Sequence, residues 1–255
     1  MSEGLLLQAT GISKRFAGIR ALDDVRIEVG PGQCVGLIGP NGAGKTTLFD
    51  CLTGRLTPDR GDVSFRGHKL GGLSGSQRAR LGLARTFQRV ELFAGMTVGE
   101  HVLVAVQARS RRARLWRDLV GQSAPHTADR ELIDDIVDIV GLSSDVDRPV
   151  EALTLGQARA LELARALACD PALLFLDEPS SGLDRREAEA MADVLAQVRD
   201  ASGVAILLIE HDVPLVRKLA ERLYVLDAGR LVADGPTATV LDDPEVRTAY
   251  LGTEP

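Results

Sequence analysis

The chain has 255 residues, 45% hydrophobic and 26% charged, a composition that fits a globular protein with a substantial core in one large domain or a domain with a sub-lobe. Its 30 basic and 36 acidic residues give a net charge of −6, which argues against a nucleic-acid-binding body. No apolar run has the length of a bilayer span, and Met1-Ser2-Glu3-Gly4 lacks the basic-then-apolar order of an export signal.

In chain order, residues 5–29 alternate like paired strands, and Gly30-Pro31-Gly32 turns into an apolar strand that ends at Val35-Gly36-Leu37-Ile38. A helix is expected from Thr47 to Leu52, and a short strand at Asp62 to Phe65. Helical patterning covers Gln77 to Leu83 and again about Val98 to Val150, where Ile133, Ile136, Val137 and Val140 repeat on one face. Beyond residue 150 helix and strand alternate: a helix over Gly156–Ala168, the strand Ala172–Leu176, a helix over Arg186–Arg199, the strand Val204–Ile209, and a helix over Val213–Glu221. That alternation predicts an α/β fold with a mostly parallel sheet covered by helices on both faces. Cys34, Cys51 and Cys169 lie far apart in apolar segments, without metal-ligand spacing, and read as reduced core thiols of a cytosolic protein. Arg109, Arg111, Arg112, Arg114 and Arg117 crowd beside Trp116, either as a solvated helix face or as a contact for anionic lipid headgroups or a membrane partner.

The segment Gly39-Pro40-Asn41-Gly42-Ala43-Gly44-Lys45-Thr46 carries the most information, because it fits G-x-x-x-x-G-K-[ST] between a strand and a helix. Glycines there let main-chain N–H groups converge on an anion, and the helix start adds partial positive charge. Lys45 then reaches the terminal phosphates of a nucleoside triphosphate, and the Thr46 hydroxyl is placed to ligate Mg²⁺. Asp177-Glu178 closes a strand at the sheet edge where such folds bind ligands. Asp177 is expected to help hold Mg²⁺ through water, and Glu178 to polarise the attacking water as general base. Glu210-His211 follow another strand to the same edge, where the imidazole can hydrogen-bond a terminal phosphate.

Taken together, these segments resemble the ATP-binding subunit of an ABC transporter over nearly the whole chain. The resemblance implies a P-loop NTPase with a RecA-like core, an antiparallel β subdomain and a helical subdomain over residues 90–160, with a C-terminal tail over 236–255. It implies ATP and Mg²⁺ as cofactors, Phe16 stacked on adenine, and residues Gly39 to Thr47 around the phosphates. Gln88 in Thr86-Phe87-Gln88 corresponds to the loop glutamine that senses Mg²⁺ and water, and His211 to the switch histidine. Leu153-Thr154-Leu155-Gly156-Gln157 stands where the family has Leu-Ser-Gly-Gly-Gln, so that Thr154 keeps a hydroxyl, Leu155 replaces a glycine, and Gly156 and Gln157 are retained. Ser181-Gly182-Leu183-Asp184 matches the loop after the acidic pair. By the same likeness two ATPase subunits, identical or paralogous, pair head to tail with ATP between the phosphate loop of one and the signature of the other. The implied setting is the inner face of the cell membrane, with permease subunits and an extracytoplasmic solute-binding protein and without nucleic acid.

At the subfamily level, Gly82-Leu83-Ala84-Arg85-Thr86-Phe87-Gln88, Leu92-Phe93, Met96-Thr97-Val98 and the tail Asp243 to Gly252 look like the branched-chain amino acid importers. Leu92 to Val98 is the expected permease contact, with internal packing as the competing reading. The alternatives are the ATPase of a lipid or lipopolysaccharide exporter and a soluble non-transport ABC ATPase.

Overall fold

The structure is a computed structural model that describes residues 4–86, 91–118 and 127–247, the side chains of 110–118, 127–128 and 245 excepted. In chain order the elements are β1 (Leu7–Phe16), β2 (Ile19–Val29), β3 (Cys34–Ile38), α1 (Lys45–Thr53), β4 (Arg60–Phe65), β5 (His68–Lys69), α2 (Gly75–Arg80) and β6 (Leu83–Arg85). Next come α3 (Val98–Asp118), α4 (Thr127–Ile139), α5 (Leu155–Ala168), β7 (Leu173–Asp177) and α6 (Arg185–Ser202). The chain continues with β8 (Ala205–Ile209), α7 (Val213–Leu219), β9 (Arg222–Asp227), β10 (Arg230–Pro236), α8 (Thr237–Leu241) and α9 (Pro244–Val246).

These elements fall into two interleaved units. The first comprises residues 1–85, 172–178 and 203–255, and the second 86–171 and 179–202, so the chain passes between them four times. Unit 1 holds an antiparallel sheet of order β2-β1-β4-β5 and a six-stranded sheet of order β10-β9-β3-β8-β7-β6, in which β10 alone pairs antiparallel. Every residue of β3, β7 and β8 is buried, as central parallel strands require, which explains why those segments read as unbroken apolar runs. Phe49 of α1 packs edge-on against Phe175 of β7, with ring centroids 5.4 Å apart.

Unit 2 contains α3 to α6. Helix α6 buries Ala188, Met191, Ala192, Leu195 and Val198, and α4 buries Ile133, Ile136 and Val137, each a stripe of helical spacing. Gly141 at φ 73° lies just past the end of α4, dividing the long helical stretch expected between Val98 and Val150.

The structure corrects several sequence expectations. The helix expected to reach Leu83 stops at Arg80, and Leu83 to Arg85 pair in parallel with Leu173 to Phe175. A three-residue strand is too short to show a periodicity, and its state is set by the neighbouring strand. The hairpin β9–β10 escaped the reading as well. Its turn uses Ala228 at φ 42° and Gly229 at φ 80°, the two positive angles of a type I′ turn, with Ala where the usual signal has Asn or Asp. Cys34 and Cys51 are buried thiols, whereas Cys169 is exposed, because it forms the C-cap of α5 and its side chain leaves the apolar face. The arginine run beyond Arg109 lies outside the described side chains. Arg109 itself reaches Asp170, 2.5 Å away in an exposed ion pair.

Candidate active site

Three parallel strands assemble the chemistry of unit 1. The register sets Leu37 of β3 beside Ile209 of β8, and Ile209 beside Asp177 of β7. The segments that start at Gly39, Glu178 and Glu210 therefore leave the sheet at one edge, where open α/β sheets bind ligands.

The phosphate loop is held by its own backbone. Gly39 has φ 154°, and a Cβ there would stand 2.0 Å from the Leu226 carbonyl oxygen; at Gly44, with φ 105°, it would stand 2.5 Å from the Ala21 carbonyl oxygen. These two glycines admit close approach of neighbouring main chain, whereas a Cβ on Gly42, at φ 83°, would meet nothing within 4 Å among the described residues. Ala43 donates to the Pro40 carbonyl at 3.1 Å, and Gly229 donates to that of Ala43 at 2.9 Å. Lys45 folds inward, its Nζ donating to the carbonyls of Gly39 at 2.6 Å and Pro40 at 3.0 Å. Burial depresses the pKa of this ammonium, while the charges of Glu178 and Asp177 oppose that depression. Pro40, Asn41, Gly42 and Thr46 are exposed and Thr47 is half-buried, so the outer rim of the loop is open.

Asp177 is buried at the end of β7. Its Oδ2 accepts from the Arg85 guanidinium at 2.9 Å, whereas Oδ1 is buried without a hydrogen-bond partner among the described residues. Burial raises the Asp177 pKa and the Arg85 charge opposes it. A carboxylate oxygen left uncommitted in this way, with a threonine hydroxyl at the start of α1, is a donor set that fits a hard divalent cation holding part of its water shell. Glu178 takes φ 50°, a left-handed conformation uncommon for glutamate, and its N–H donates to the Ile209 carbonyl at 2.9 Å. Such local strain costs about 1–3 kcal/mol and persists where the surroundings impose it.

His211 has an exposed side chain, with Nδ1 3.7 Å from the buried Glu210 carboxylate. Glu210 accepts from the main-chain N–H of His211 at 3.0 Å and of Asp212 at 3.3 Å, and Asp212 caps α7 by accepting from Leu215. Glu210 thus orders the backbone that presents the imidazole, a role the sequence reading did not assign. The signal was a carboxylate immediately before two main-chain donors. Phe16 ends β1 partly exposed opposite Ile19, with the Lys14 ammonium 5.7 Å from its ring centroid. Gln88 lies outside the described residues.

The signature and the loop after the acidic pair belong to unit 2. Thr154 caps α5: its hydroxyl accepts from the Gln157 N–H at 3.3 Å, and the Gln157 side chain accepts from the Thr154 N–H at 3.0 Å. Because the hydroxyl oxygen is the acceptor, its proton remains available to donate. The partly exposed Leu155 side chain sits against the loop, where a Cβ on Gly182 would meet its Cδ2 at 3.1 Å. Asp184 and Glu187 cap α6 reciprocally, each carboxylate accepting from the other's N–H, at 2.8 and 3.2 Å.

Comparison with known proteins identifies the family of the chain. Residues 22–181 match the model of the ABC transporter family, and residues 230–255 match that of the branched-chain amino acid ATP-binding cassette transporters. The chain is 40% identical over 250 residues to LivG of Escherichia coli, a high-affinity branched-chain amino acid transport ATP-binding protein, covering 97% of this chain and 98% of that one. It is 38% identical over the same span to BraF of Pseudomonas aeruginosa, which carries the same description, and 30% identical over 249 residues to LptB of Haemophilus influenzae, of a lipopolysaccharide export system. Among solved structures, the ADP conformation of an ATP-binding cassette of an ABC transporter superposes with a TM-score of 0.80 at 30% identity, covering 97% of this chain and 99% of that one. A nucleotide-free cassette from an ABC transporter gives 0.79 at 28% identity, over 96% and 98%. Phosphate loop, acidic strand end and full-length similarity coincide in one chain: it belongs to the ATP-binding proteins of ABC transporters and is an α/β P-loop ATPase.

Proposed function

We propose that this protein hydrolyses ATP to power the uptake of branched-chain amino acids or related small polar solutes through a partner permease. The observation that carries the substrate class is the C-terminal match at 230–255, a segment apart from the catalytic machinery, together with 40% identity to LivG over nearly the whole chain. The exporter reading, represented by LptB, has the weaker support at 30% identity.

In this reading Gly39 to Thr47 wrap the phosphates with main-chain N–H groups, and Lys45 leaves the Gly39 and Pro40 carbonyls to meet the β- and γ-phosphates. Phe16 stacks on adenine. Thr46, Gln88 and Asp177 hold Mg²⁺, whose charge offsets that of the triphosphate. Glu178, fixed in its left-handed conformation, orients the attacking water and accepts its proton, and His211 hydrogen-bonds the γ-phosphate. Thr154, Leu155, Gly156 and Gln157 of a second ATPase subunit close over the same nucleotide, flanked by the Ser181-Gly182-Leu183-Asp184 loop. The Leu155 side chain, which replaces a signature glycine, rests against Gly182.

The whole chain acts as one cassette, with residues 90–160 as its helical subdomain and 236–255 as its tail. No helix among the described residues is long and apolar enough to cross a membrane, which fits a subunit bound peripherally on the inner face of the membrane. A solute-binding protein on the far side delivers the cargo. Phe93 supports the permease contact at Leu92 to Val98. It is well exposed, with the His101 ring stacked 5.5 Å away and the Arg165 guanidinium 5.6 Å from its centroid.

The decisive experiment is Glu178→Gln. ATP binding, read by calorimetry, is expected to remain, turnover to fall at least about a hundredfold, and a dimer to accumulate in ATP on size exclusion. A variant that hydrolyses ATP at the parent rate would remove Glu178 from its role.

A further inference from the structure

Arg85 stands apart from every residue assigned so far, yet it touches the acidic strand end directly. It is the last residue of β6, with an almost fully buried side chain. One arm of its guanidinium pairs with Asp50 Oδ1 on α1, five residues beyond Lys45 on the helix that opens with the phosphate-binding lysine and threonine. The other donates to Asp177 Oδ2 at 2.9 Å, and the group lies over the Phe49 ring, 5.8 Å from its centroid. Among the described residues, Asp177 Oδ1 is left buried without a hydrogen-bond partner.

We propose that Arg85 is a positioning residue for the Mg²⁺-nucleotide: by tying one oxygen of Asp177 to α1 through Asp50, it fixes the carboxylate with its other oxygen uncommitted. The proposal rests on the reading that Asp177 is the carboxylate that serves Mg²⁺. The carboxylate torsion of aspartate is broad, so an untethered Asp177 would share its two oxygens among orientations. A planar fork can serve two carboxylates in a set geometry, which a point-charge ammonium cannot. The tie also joins the strand end to the same helix that presents Thr46. Groups that orient metal-serving side chains in this way typically govern affinity by about ten- to a hundredfold.

The experiment measures ADP affinity of the full chain by calorimetry with Mg²⁺ and with EDTA, and takes the ratio. Arg85→Ala is expected to leave the affinity in EDTA unchanged and to reduce the Mg²⁺ enhancement about tenfold. Arg85→Lys is expected to recover part of that loss, and Asp50→Asn to show a smaller one. If Arg85→Ala fails to fold, judged by its melting curve, the Lys and Asn variants carry the test, because each keeps a folded pair at one end of the tie. Asp177→Asn is the control that separates the two levels of the argument. Loss of the Mg²⁺ response in Asp177→Asn, with full retention in the folded Arg85 variants, overturns the role of Arg85. Retention in Asp177→Asn overturns the metal assignment beneath it, and the proposal with it.

Discussion

Gly39 and Gly42 occupy the same loop and both have positive φ, but their surroundings separate them. At Gly39 a methyl group would collide with main-chain oxygen at 2.0 Å, and a backbone atom cannot rotate away as a side-chain tip can. Gly39→Ala is therefore expected to cost about 3 kcal/mol or more, by strain and displacement of the loop from β9. Gly42→Ala meets no described residue within 4 Å and should cost only the intrinsic left-handed penalty, about 1–2 kcal/mol. Urea denaturation of the two variants checks the order, and equal losses would contradict it. The loop was legible in the sequence because its chemistry is local: glycines, lysine and hydroxyl act within eight consecutive residues. Asp177 and Glu178 were legible because a strand end followed by Pro179 announces itself nearby. Arg85 was not, since its two carboxylates lie 35 and 92 residues away and nothing near it in the chain marks either as a partner.

Helix α1 carries the phosphate loop at its N-terminus, and its C-terminus is completed by a side chain from outside. Its last carbonyls have no helical donor, and Gly54 at φ 81° ends the helix abruptly. Arg78 of α2 inserts there, donating to the carbonyls of Cys51 at 3.1 Å, Leu52 at 2.7 Å, Leu70 at 3.0 Å and Leu73 at 3.2 Å. Carbonyl oxygens and the negative end of the helix dipole, in place of a carboxylate, receive this buried cation. The same burial pushes the Cys51 thiol up to about 11. Arg78→Met keeps the apolar stem and removes the donors, so it should destabilise the protein by about 3 kcal/mol. Thermal melting tests this, and a loss below about 1 kcal/mol would show that water replaces the guanidinium. Helices with long apolar stripes, such as α4 and α6, were readable from their spacing. Strand β6 and the β9–β10 hairpin were not, because each takes its state from a neighbouring strand.

Across the molecule, stability against pH follows from groups with opposed shifts. Burial depresses the His101 pKa below its ordinary 6.5, opposed by the Phe93 main chain and assisted by the Arg165 charge, so the folded state favours the neutral ring. That preference contributes fully above pH 6.5 and is lost as pH falls through the depressed value, because the unfolded chain takes up the proton first. Buried Asp177 and Glu162 have raised pKa values and work in the other direction, favouring the fold below their ordinary values and losing that contribution as pH rises through the raised ones. The decline in melting temperature from pH 7.5 to 5.5 is therefore expected to shrink in His101→Gln, and an unchanged slope would exclude His101 as its source. The interleaving of the two units was hidden from the sequence, since it depends on which distant segments meet. It bears directly on protein engineering. To graft another transporter's helical unit onto this ATPase, two inserts are needed, one replacing 86–171 and one replacing 179–202, around a retained seven-residue bridge, Ala172–Glu178, that carries both acidic residues. A single-segment exchange of 86–202 would import a foreign β7 between β8 and β6 of the nucleotide sheet.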